Sequence, residues 1–142
     1  MPTRDAVAIW NGSLLEGNGT VHFGQGTIEH PYTHKSRFAD GAGTNPEELL
    51  GAAHAGCFSM QMSSTLGKKG YTVNSISTTA KVHLEKLESG FKITQIDLET
   101  VGDVPGIDLA TFQETAEATK SGCIISQALS AVPMTVKASL KS

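Results

Sequence analysis

Two cysteines, Cys57 and Cys123, are the residues of this chain best suited to nucleophilic or redox chemistry. A cysteine reacts through its thiolate, so its surroundings decide between an inert, buried small hydrophobe and a reactive thiol. Cys57 falls about twelve residues inside a predicted helix, where the helix dipole no longer favours the thiolate. Because burial alone favours the uncharged thiol, a reactive Cys57 needs a cation supplied from elsewhere in the chain.

Arg37 is the candidate for that cation, since the chain's only other arginine, Arg4, lies in the terminal segment. An arginine stays charged in apolar surroundings and donates several hydrogen bonds in a fixed fork. Glu47 precedes Cys57 by ten residues, which is about 15 Å along a helix axis, so these two side chains cannot touch. An arginine between them could pair with the carboxylate and direct its other edge at the sulfur. The alternatives are a surface charge for Arg37 and a residue that only favours the helix dipole for Glu47.

His54 precedes Cys57 by three residues, so both side chains project from one face of the predicted helix. The pair is compatible with a Cys–His hydrolase in which His54 is the base, or with part of a metal site. A hydrolase of this kind usually has a third group that orients the histidine, and none is evident. A zinc site wants four ligands, and His30 and His34, four residues apart, fall in a turn-rich stretch. We therefore expect no metal.

One long helix must position these residues. Asn45 is the predicted N-cap, Pro46 the first helical residue, and Glu48 has the spacing of a capping box. The helix is predicted to run to about Gly67, and its middle, residues 49–62, is apolar or small nearly all round, which is typical of a buried central helix. Small residues there would allow a second backbone to approach closely: Gly51, Ala52, Ala53, Ala55 and Gly56.

Short alternating segments surround this helix. Residues 6–10 and 20–23 are predicted strands, and residues 36–38 a short extended piece. After Gly70 a period of two predicts a β-hairpin that turns at residues 88–90 and carries a bulge between residues 93 and 96. Asp108 is the predicted N-cap of a helix to about Lys120, followed by a short helical run from Cys123 to about residue 130 and a strand over residues 132–140. This order predicts an α+β fold with antiparallel sheets around a long buried central helix.

The bulk properties predict a single domain over residues 1–142 and argue against several functions. A net charge of −3 without a block of Lys and Arg argues against a nucleic-acid partner. No apolar run is long enough to span a membrane, and residues 1–5 lack the apolar core of a signal peptide, so we expect a cytoplasmic protein. A permanent structural disulfide is not expected in that reducing compartment.

Several long motifs resemble those of one known family. The segments concerned are YTHKSRF at 32–38, GTNPEELL at 43–50, AAHAGCFSM at 52–60, VPGI at 104–107 and SGC at 121–123. Together they resemble the signature of the OsmC/Ohr proteins, and the last two resemble its OsmC branch. The resemblance covers nearly the whole chain.

The resemblance implies an OsmC-like fold and an intertwined homodimer, in which sheets from both chains enclose the two central helices. It implies reduction of organic hydroperoxides, and more weakly of hydrogen peroxide, in defence against oxidative or osmotic stress, without metal, haem or flavin. By the same resemblance Cys57 attacks the peroxide, Cys123 resolves the product into a disulfide, and Arg37 and Glu47 activate the thiolate. A dithiol, such as a lipoylated protein, would recycle the disulfide. One departure is Ile124, which replaces the family's proline and is expected to change the geometry or mobility of Cys123.

Two other functions remain open from the sequence. One is a non-enzymatic ligand-binding or stress protein of the same fold with idle cysteines, against which the complete set of four site residues argues. The other is the hydrolase that uses His54. Measuring ester and peroxide turnover side by side would separate them.

Overall fold

In the computed structural model, which describes all 142 residues, glycine-containing turns separate three short strands near the start of the chain. These are β1 (Val7–Asn11), β2 (Asn18–Phe23) and β3 (Ile28–Tyr32), paired antiparallel in the order β1-β2-β3. The sequence predicts the first two strands but misses the third. Pro31 disguises β3 because proline cannot donate to a strand ladder, yet β3 lies at the sheet edge, where proline is tolerated.

The predicted extended piece at residues 36–38 is wrong, because a one-turn helix, α1 (His34–Phe38), occupies this position. Thr33 caps it: its Oγ1 accepts a hydrogen bond from the Ser36 backbone N–H at 3.1 Å, and Ser36 Oγ accepts one from the Thr33 N–H at 2.8 Å. This reciprocal cap satisfies backbone donors that would otherwise favour pairing in a sheet.

The long helix α2 (Pro46–Lys68) begins and ends close to its predicted bounds. Asn45 Oδ1 accepts a hydrogen bond from the Glu48 N–H at 2.7 Å, as expected for an N-cap. The chain divides into two compact units, Met1–Leu49 and Leu50–Ser142, so α2 begins at the end of the first unit and is the first element of the second.

The second unit contains a three-stranded sheet formed by β4 (Ser75–Leu87), β5 (Gly90–Asp103) and β6 (Met134–Leu140), in that order. The predicted hairpin joins β4 and β5, and Gly90 supplies the positive φ of 118° at its turn. The predicted bulge is confirmed, since the register shifts where His83 pairs with Gln95 and Leu84 with Ile93.

The expectation of purely antiparallel sheets is wrong for this unit, because β6 pairs with β5 in parallel. A parallel neighbour requires a crossover of a dozen or more residues. The helices α3 (Leu109–Gly122) and α4 (Ile124–Ala128) provide it between β5 and β6. Asp108 is the N-cap of α3, as the sequence predicts: its carboxylate accepts the Thr111 N–H at 3.0 Å. The α+β class is confirmed.

The core of the second unit lies between α2, the sheet and α3. Its fully buried side chains include Phe58, Met62, Leu66, Ile96, Leu98, Phe112 and Ala116. Each large apolar side chain buried here stabilises the fold by about 1.5–3 kcal/mol. Gly102 of β5 allows close approach, because a Cβ at this position would overlap the Phe112 ring.

Helix α2 is buried along one stripe rather than nearly all round. Gly51, His54, Phe58, Met62 and Leu66, spaced three or four residues apart, are buried. The opposite face remains exposed in the single chain and carries small or apolar residues, namely Ala52, Ala53, Gly56 and Met60. The apolar composition of α2 predicts burial of the whole helix, whereas a single chain buries only one of its faces.

None of the helices combines the length and apolar character that a membrane span requires.

Candidate active site

Arg37 and Glu47 form an ion pair in the first unit. Arg37 lies on α1, and Glu47 lies in the first turn of α2. Arg37 Nε donates to both carboxylate oxygens, at 3.1 and 3.3 Å, and Nη2 donates to Oε1 at 2.8 Å. The Glu47 side chain is only 10% exposed, against 39% for Arg37. A nearly buried carboxylate is thus held by two nitrogens of the guanidinium group, and Nη1 takes no part in the pair.

The loop before α2 fixes the positions of this pair. Ser36 Oγ donates to the Thr44 carbonyl at 2.7 Å, and Asn45 Nδ2 donates to the Ser36 carbonyl at 3.0 Å. Ser36 and Thr44 are both buried. These bonds tie α1 to the start of α2, so that the residues flanking Arg37 and Glu47 are held by side-chain contacts as well as by the backbone.

A cleft of about 200 Å³ in the first unit includes Arg37 in its wall. Its other lining residues are mostly aromatic or apolar: Trp10, Leu14, Tyr32, Thr33, His34 and Phe38. The Trp10 and Tyr32 rings contact each other with centroids 5.2 Å apart, and the Arg37 guanidinium carbon lies 5.2 Å from the centre of the Phe38 ring. The cleft therefore combines apolar walls with one permanent cation.

Cys57 lies on α2 in the second unit and is half-buried. Its side chain packs against the buried cluster to which Cys123 belongs, and both cysteines are free thiols. A partly exposed thiol beside an apolar core is accessible to a small reagent.

Cys123 is fully buried and joins two helices. It ends α3 by donating its backbone N–H to the Thr119 carbonyl at 3.1 Å, and it caps α4 by accepting the Ser126 N–H on Sγ at 3.3 Å. Sγ also donates to Ser126 Oγ at 3.0 Å. The predicted break between the two helical runs is confirmed, and the thiol itself serves as the cap.

His54 is fully buried on α2, where its Nε2 lies 2.7 Å from Ser126 Oγ. Its other ring nitrogen, Nδ1, has no hydrogen-bond partner. Burial lowers the pKa of His54 below its ordinary value, so the ring is neutral at neutral pH. Neither predicted alternative for His54 included Ser126. The spacing of three residues after Cys123, which places Ser126 in the first turn of α4, is the signal that could have identified it.

The two histidines considered as metal ligands take part in ring contacts. His30 lies in β3 with its ring centre 6.3 Å from that of Phe23, and His34 begins α1 with its ring centre 4.9 Å from that of Phe38. The structure contains no group of three or more His, Cys, Asp or Glu side chains arranged to hold a metal ion.

The sequence-predicted residues thus fall into two groups. Arg37 and Glu47 contact each other in the first unit. Cys57 and Cys123 both belong to the second unit, where Ser126 links Cys123 to His54.

Comparison with known proteins identifies relatives along most of the chain. The family model described as OsmC-like protein matches residues 39–137. The proteins named Peroxiredoxin OsmC from Escherichia coli (strain K12) and from Shigella flexneri are each 48% identical over 136 residues, which is 95% of this chain and 94% of theirs.

Solved structures show the same fold. The organic hydroperoxide resistance protein OhrB of Bacillus subtilis is 26% identical with a TM-score of 0.68, covering 96% of this chain and 98% of that one. The OsmC like protein from Mycoplasma pneumoniae has a TM-score of 0.77 at 16% identity, with 99% of each chain covered, and supports the fold alone.

Proposed function

Because the chain belongs to the OsmC-like protein family, we propose that it is a thiol-dependent peroxidase that reduces organic hydroperoxides in defence against oxidative stress. The observation that carries this proposal is the 48% identity to proteins named Peroxiredoxin OsmC along 95% of the chain. The chain's only two cysteines are free thiols in one compact unit, an arrangement compatible with a two-cysteine peroxidase.

Exposure supports different roles for the two thiols. Cys57 is half-buried and accessible, so it is proposed as the thiol that attacks the peroxide. Cys123 is fully buried, which protects it from direct oxidation and suits the resolving thiol.

The Arg37–Glu47 pair is proposed to stabilise the Cys57 thiolate. Glu47 engages Nε and Nη2 of the guanidinium group, which leaves Nη1 as the donor for a second anion. An ionised acceptor makes stronger hydrogen bonds than a neutral one, so such a contact favours the thiolate over the thiol. Glu47 orients the cation and does not itself react.

The reaction proceeds in three balanced steps. The Cys57 thiolate attacks the distal peroxide oxygen; an S–O bond forms, the O–O bond breaks, and the departing alkoxide takes a proton to leave as an alcohol. The resulting sulfenic acid condenses with the Cys123 thiol; an S–S bond forms, the S–O bond breaks, and water leaves. A dithiol then reduces the disulfide by two thiol exchanges and becomes a disulfide itself.

The cleft beside Arg37 supports organic hydroperoxides as substrates. This open cleft has mostly aromatic and apolar walls and a volume of about 200 Å³, room for a small alkyl or aryl group. Burying such a group contributes about 25 cal/mol per Å² of apolar surface, a gain that hydrogen peroxide cannot make. Hydrogen peroxide is therefore the weaker proposed substrate.

The exposed face of α2 supports a homodimer. Ala52, Ala53, Gly56 and Met60 form a stripe of small or apolar residues that one chain leaves open, and Met60 is 76% exposed. Small residues allow close helix approach, so a second copy packed on this stripe would complete the burial that the composition predicts. The proposed assembly is the intertwined dimer that the family resemblance implies. A cytoplasmic location remains a prediction from the sequence.

Cysteine variants test the proposed function. Each protein is mixed with cumene hydroperoxide, with hydrogen peroxide or with an ester, and peroxide loss, free thiol and ester cleavage are followed separately. Cys57→Ser should consume no peroxide. Cys123→Ser should consume about one equivalent per chain, stall as a sulfenic acid that mass spectrometry detects, and over-oxidise in excess peroxide.

Contrary results identify the alternatives. Peroxide turnover by Cys57→Ser with loss of activity in Cys123→Ser would reverse the assigned roles. Ester cleavage without peroxide consumption would favour the hydrolase, and the absence of both would favour a non-enzymatic protein.

A further inference from the structure

A continuous line of polar side chains connects Cys123 to His54 inside the second unit. Cys123 Sγ lies 3.0 Å from Ser126 Oγ, and Ser126 Oγ lies 2.7 Å from His54 Nε2. Cys123 and His54 are both 0% exposed and Ser126 is 3% exposed. All three side chains are therefore removed from water and contact one another end to end.

The donors and acceptors along this line have a consistent direction. Because burial keeps His54 neutral, its Nε2 can accept a hydrogen bond from the Ser126 hydroxyl. Ser126 Oγ then accepts from the Cys123 thiol, and the Ser126 backbone N–H donates to the same sulfur at 3.3 Å. The sulfur is thus placed to lose its proton along the line. The resulting anion would be stabilised by the Ser126 backbone N–H and, once the proton has moved, by the Ser126 hydroxyl.

Cys123 needs such a route because it must lose a proton in order to attack. An unassisted thiol is only a few per cent ionised at neutral pH, and a fully buried one has no water to take its proton. The nearest base on this line is the His54 ring, one serine away.

We propose that Ser126 and His54 form a proton relay that deprotonates Cys123 for the resolving step. The proposal rests on the proposed peroxidase function and deepens it. As Cys123 attacks the Cys57 sulfenic acid, its proton passes to Ser126 Oγ while the Ser126 proton passes to His54 Nε2. The S–S bond forms and the Cys57 S–O bond breaks, releasing hydroxide. The imidazolium then returns one proton to that hydroxide, which leaves as water, so charges and atoms balance.

His54 Nδ1, the ring nitrogen that does not contact Ser126, has no hydrogen-bond partner within the chain. When the neutral ring accepts a hydrogen bond at Nε2, its proton is on Nδ1, so Nδ1 is a position from which the imidazolium can release a proton. His54 also precedes Cys57 by one helical turn on the same face of α2.

The test separates the two chemical steps. Wild type, Ser126→Ala, Ser126→Thr and His54→Gln are mixed with one equivalent of cumene hydroperoxide and quenched at intervals. Sulfenic acid is trapped by dimedone, and disulfide is measured by mass spectrometry. Thr100→Val is the matched control, because it removes another buried hydroxyl of the same unit, one bonded to Thr78 at 3.1 Å. Thermal unfolding of each variant monitors the fold.

At pH 7 disulfide formation should slow at least tenfold in Ser126→Ala and His54→Gln, since a positioned base contributes about 10²–10⁴ in rate. Ser126→Thr keeps the hydroxyl and should retain most of the rate. The pH profile is the decisive readout. Between pH 7 and 8.5 the wild-type resolution rate should be nearly level, because the relay base is already neutral. In Ser126→Ala and His54→Gln it should rise about tenfold per pH unit, as for a thiol that ionises unaided.

Three results would overturn the relay. The first is a rate of disulfide formation in Ser126→Ala equal to that of wild type. The second is equal slowing in Ser126→Ala and Thr100→Val with unchanged pH profiles, which would indicate an effect of packing alone. The third is failure of the threonine to restore the rate when Ser126→Thr is as stable as wild type. In each case sulfenic acid still forms, so the proposed peroxidase function stands. Failure of that function is a different outcome, in which wild type itself traps no sulfenic acid.

Discussion

Replacing Arg37 with alanine removes the cation of the pair with Glu47 and leaves the rest of α1 in place. Three hydrogen bonds between the guanidinium group and the carboxylate disappear, and Glu47, whose side chain is 10% exposed, loses its charged partner. Two consequences follow, one for Cys57 and one for stability.

The first consequence concerns the reactivity of Cys57. A hydrogen bond to a charged group contributes about 1.5–3 kcal/mol, and about 1.4 kcal/mol corresponds to a factor of ten. If Arg37 activates Cys57 as proposed, its loss should therefore slow peroxide consumption at neutral pH by about ten- to a hundredfold. Stability should fall by about 1–3 kcal/mol, the cost of leaving a nearly buried carboxylate unpaired. Arg37→Lys should be intermediate, since a lysine keeps the charge but lacks the fork that holds Glu47 and a second anion together.

Stopped-flow loss of free thiol with cumene hydroperoxide measures the first effect, and urea unfolding measures the second. Arg4→Ala is the matched control, because Arg4 is the chain's only other arginine and its one hydrogen bond is to a neighbouring carbonyl. It should behave as wild type in both assays. Near-wild-type rates of peroxide consumption and thiol alkylation in a folded Arg37→Ala protein would refute the reasoning.

Three further predictions concern assembly and stability. Light scattering at micromolar concentration should give the mass of a dimer. Met60→Asp places a charge on the exposed stripe of α2 and should shift the measured mass toward that of a monomer. A monomeric wild type would contradict the proposed assembly. Burial lowers the pKa of His54 in the folded protein below its ordinary value of 6.5. The contribution of His54 to stability is therefore complete above pH 6.5 and is lost as the pH falls through the pKa of the folded protein. The free energies of unfolding at pH 7 and pH 5 should accordingly differ less in His54→Gln than in wild type. Gly102→Ala should lower the midpoint of thermal unfolding, since its Cβ would overlap the Phe112 ring. A Cβ at Gly56 meets no atom within one chain, so weaker dimerisation of Gly56→Ala would indicate that a second copy approaches there.

The sequence predicts elements well where a strong local signal marks them. Asn45 and Asp108 are both N-caps, and the alternation of apolar and polar residues predicts the hairpin and its bulge. Two of the errors are also local: Pro31 hides β3, which pairs with the preceding β2, and the capped helix α1 replaces a predicted extended piece. The parallel pairing of β6 with β5 joins strands that are distant in sequence, and local propensity carries no information about it.

The candidate site shows the same division. Residue type and spacing offer a pair between Arg37 and Glu47 as one possibility beside a surface charge and a dipole-favouring residue, and the structure shows the pair. Ser126 and His54 are 72 residues apart, so only the tertiary fold brings their side chains together. The relay could not be predicted without the structure for that reason.

The structure indicates how Ile124, which stands where the resemblance implies a proline, affects the backbone beside Cys123. The backbone of Cys123 has φ −68° and ψ 150°, which is the conformation that a following proline would impose on it. The cap on Cys123 Sγ uses the N–H of Ser126, so a proline at residue 124, which lacks an N–H, would leave that bond intact. The Ile124 side chain is 74% exposed and fills no cavity around the thiol. Ile124 therefore preserves the resting geometry of Cys123 and differs from proline chiefly in leaving its own φ free, which eases any movement of α4 that brings Cys123 to Cys57.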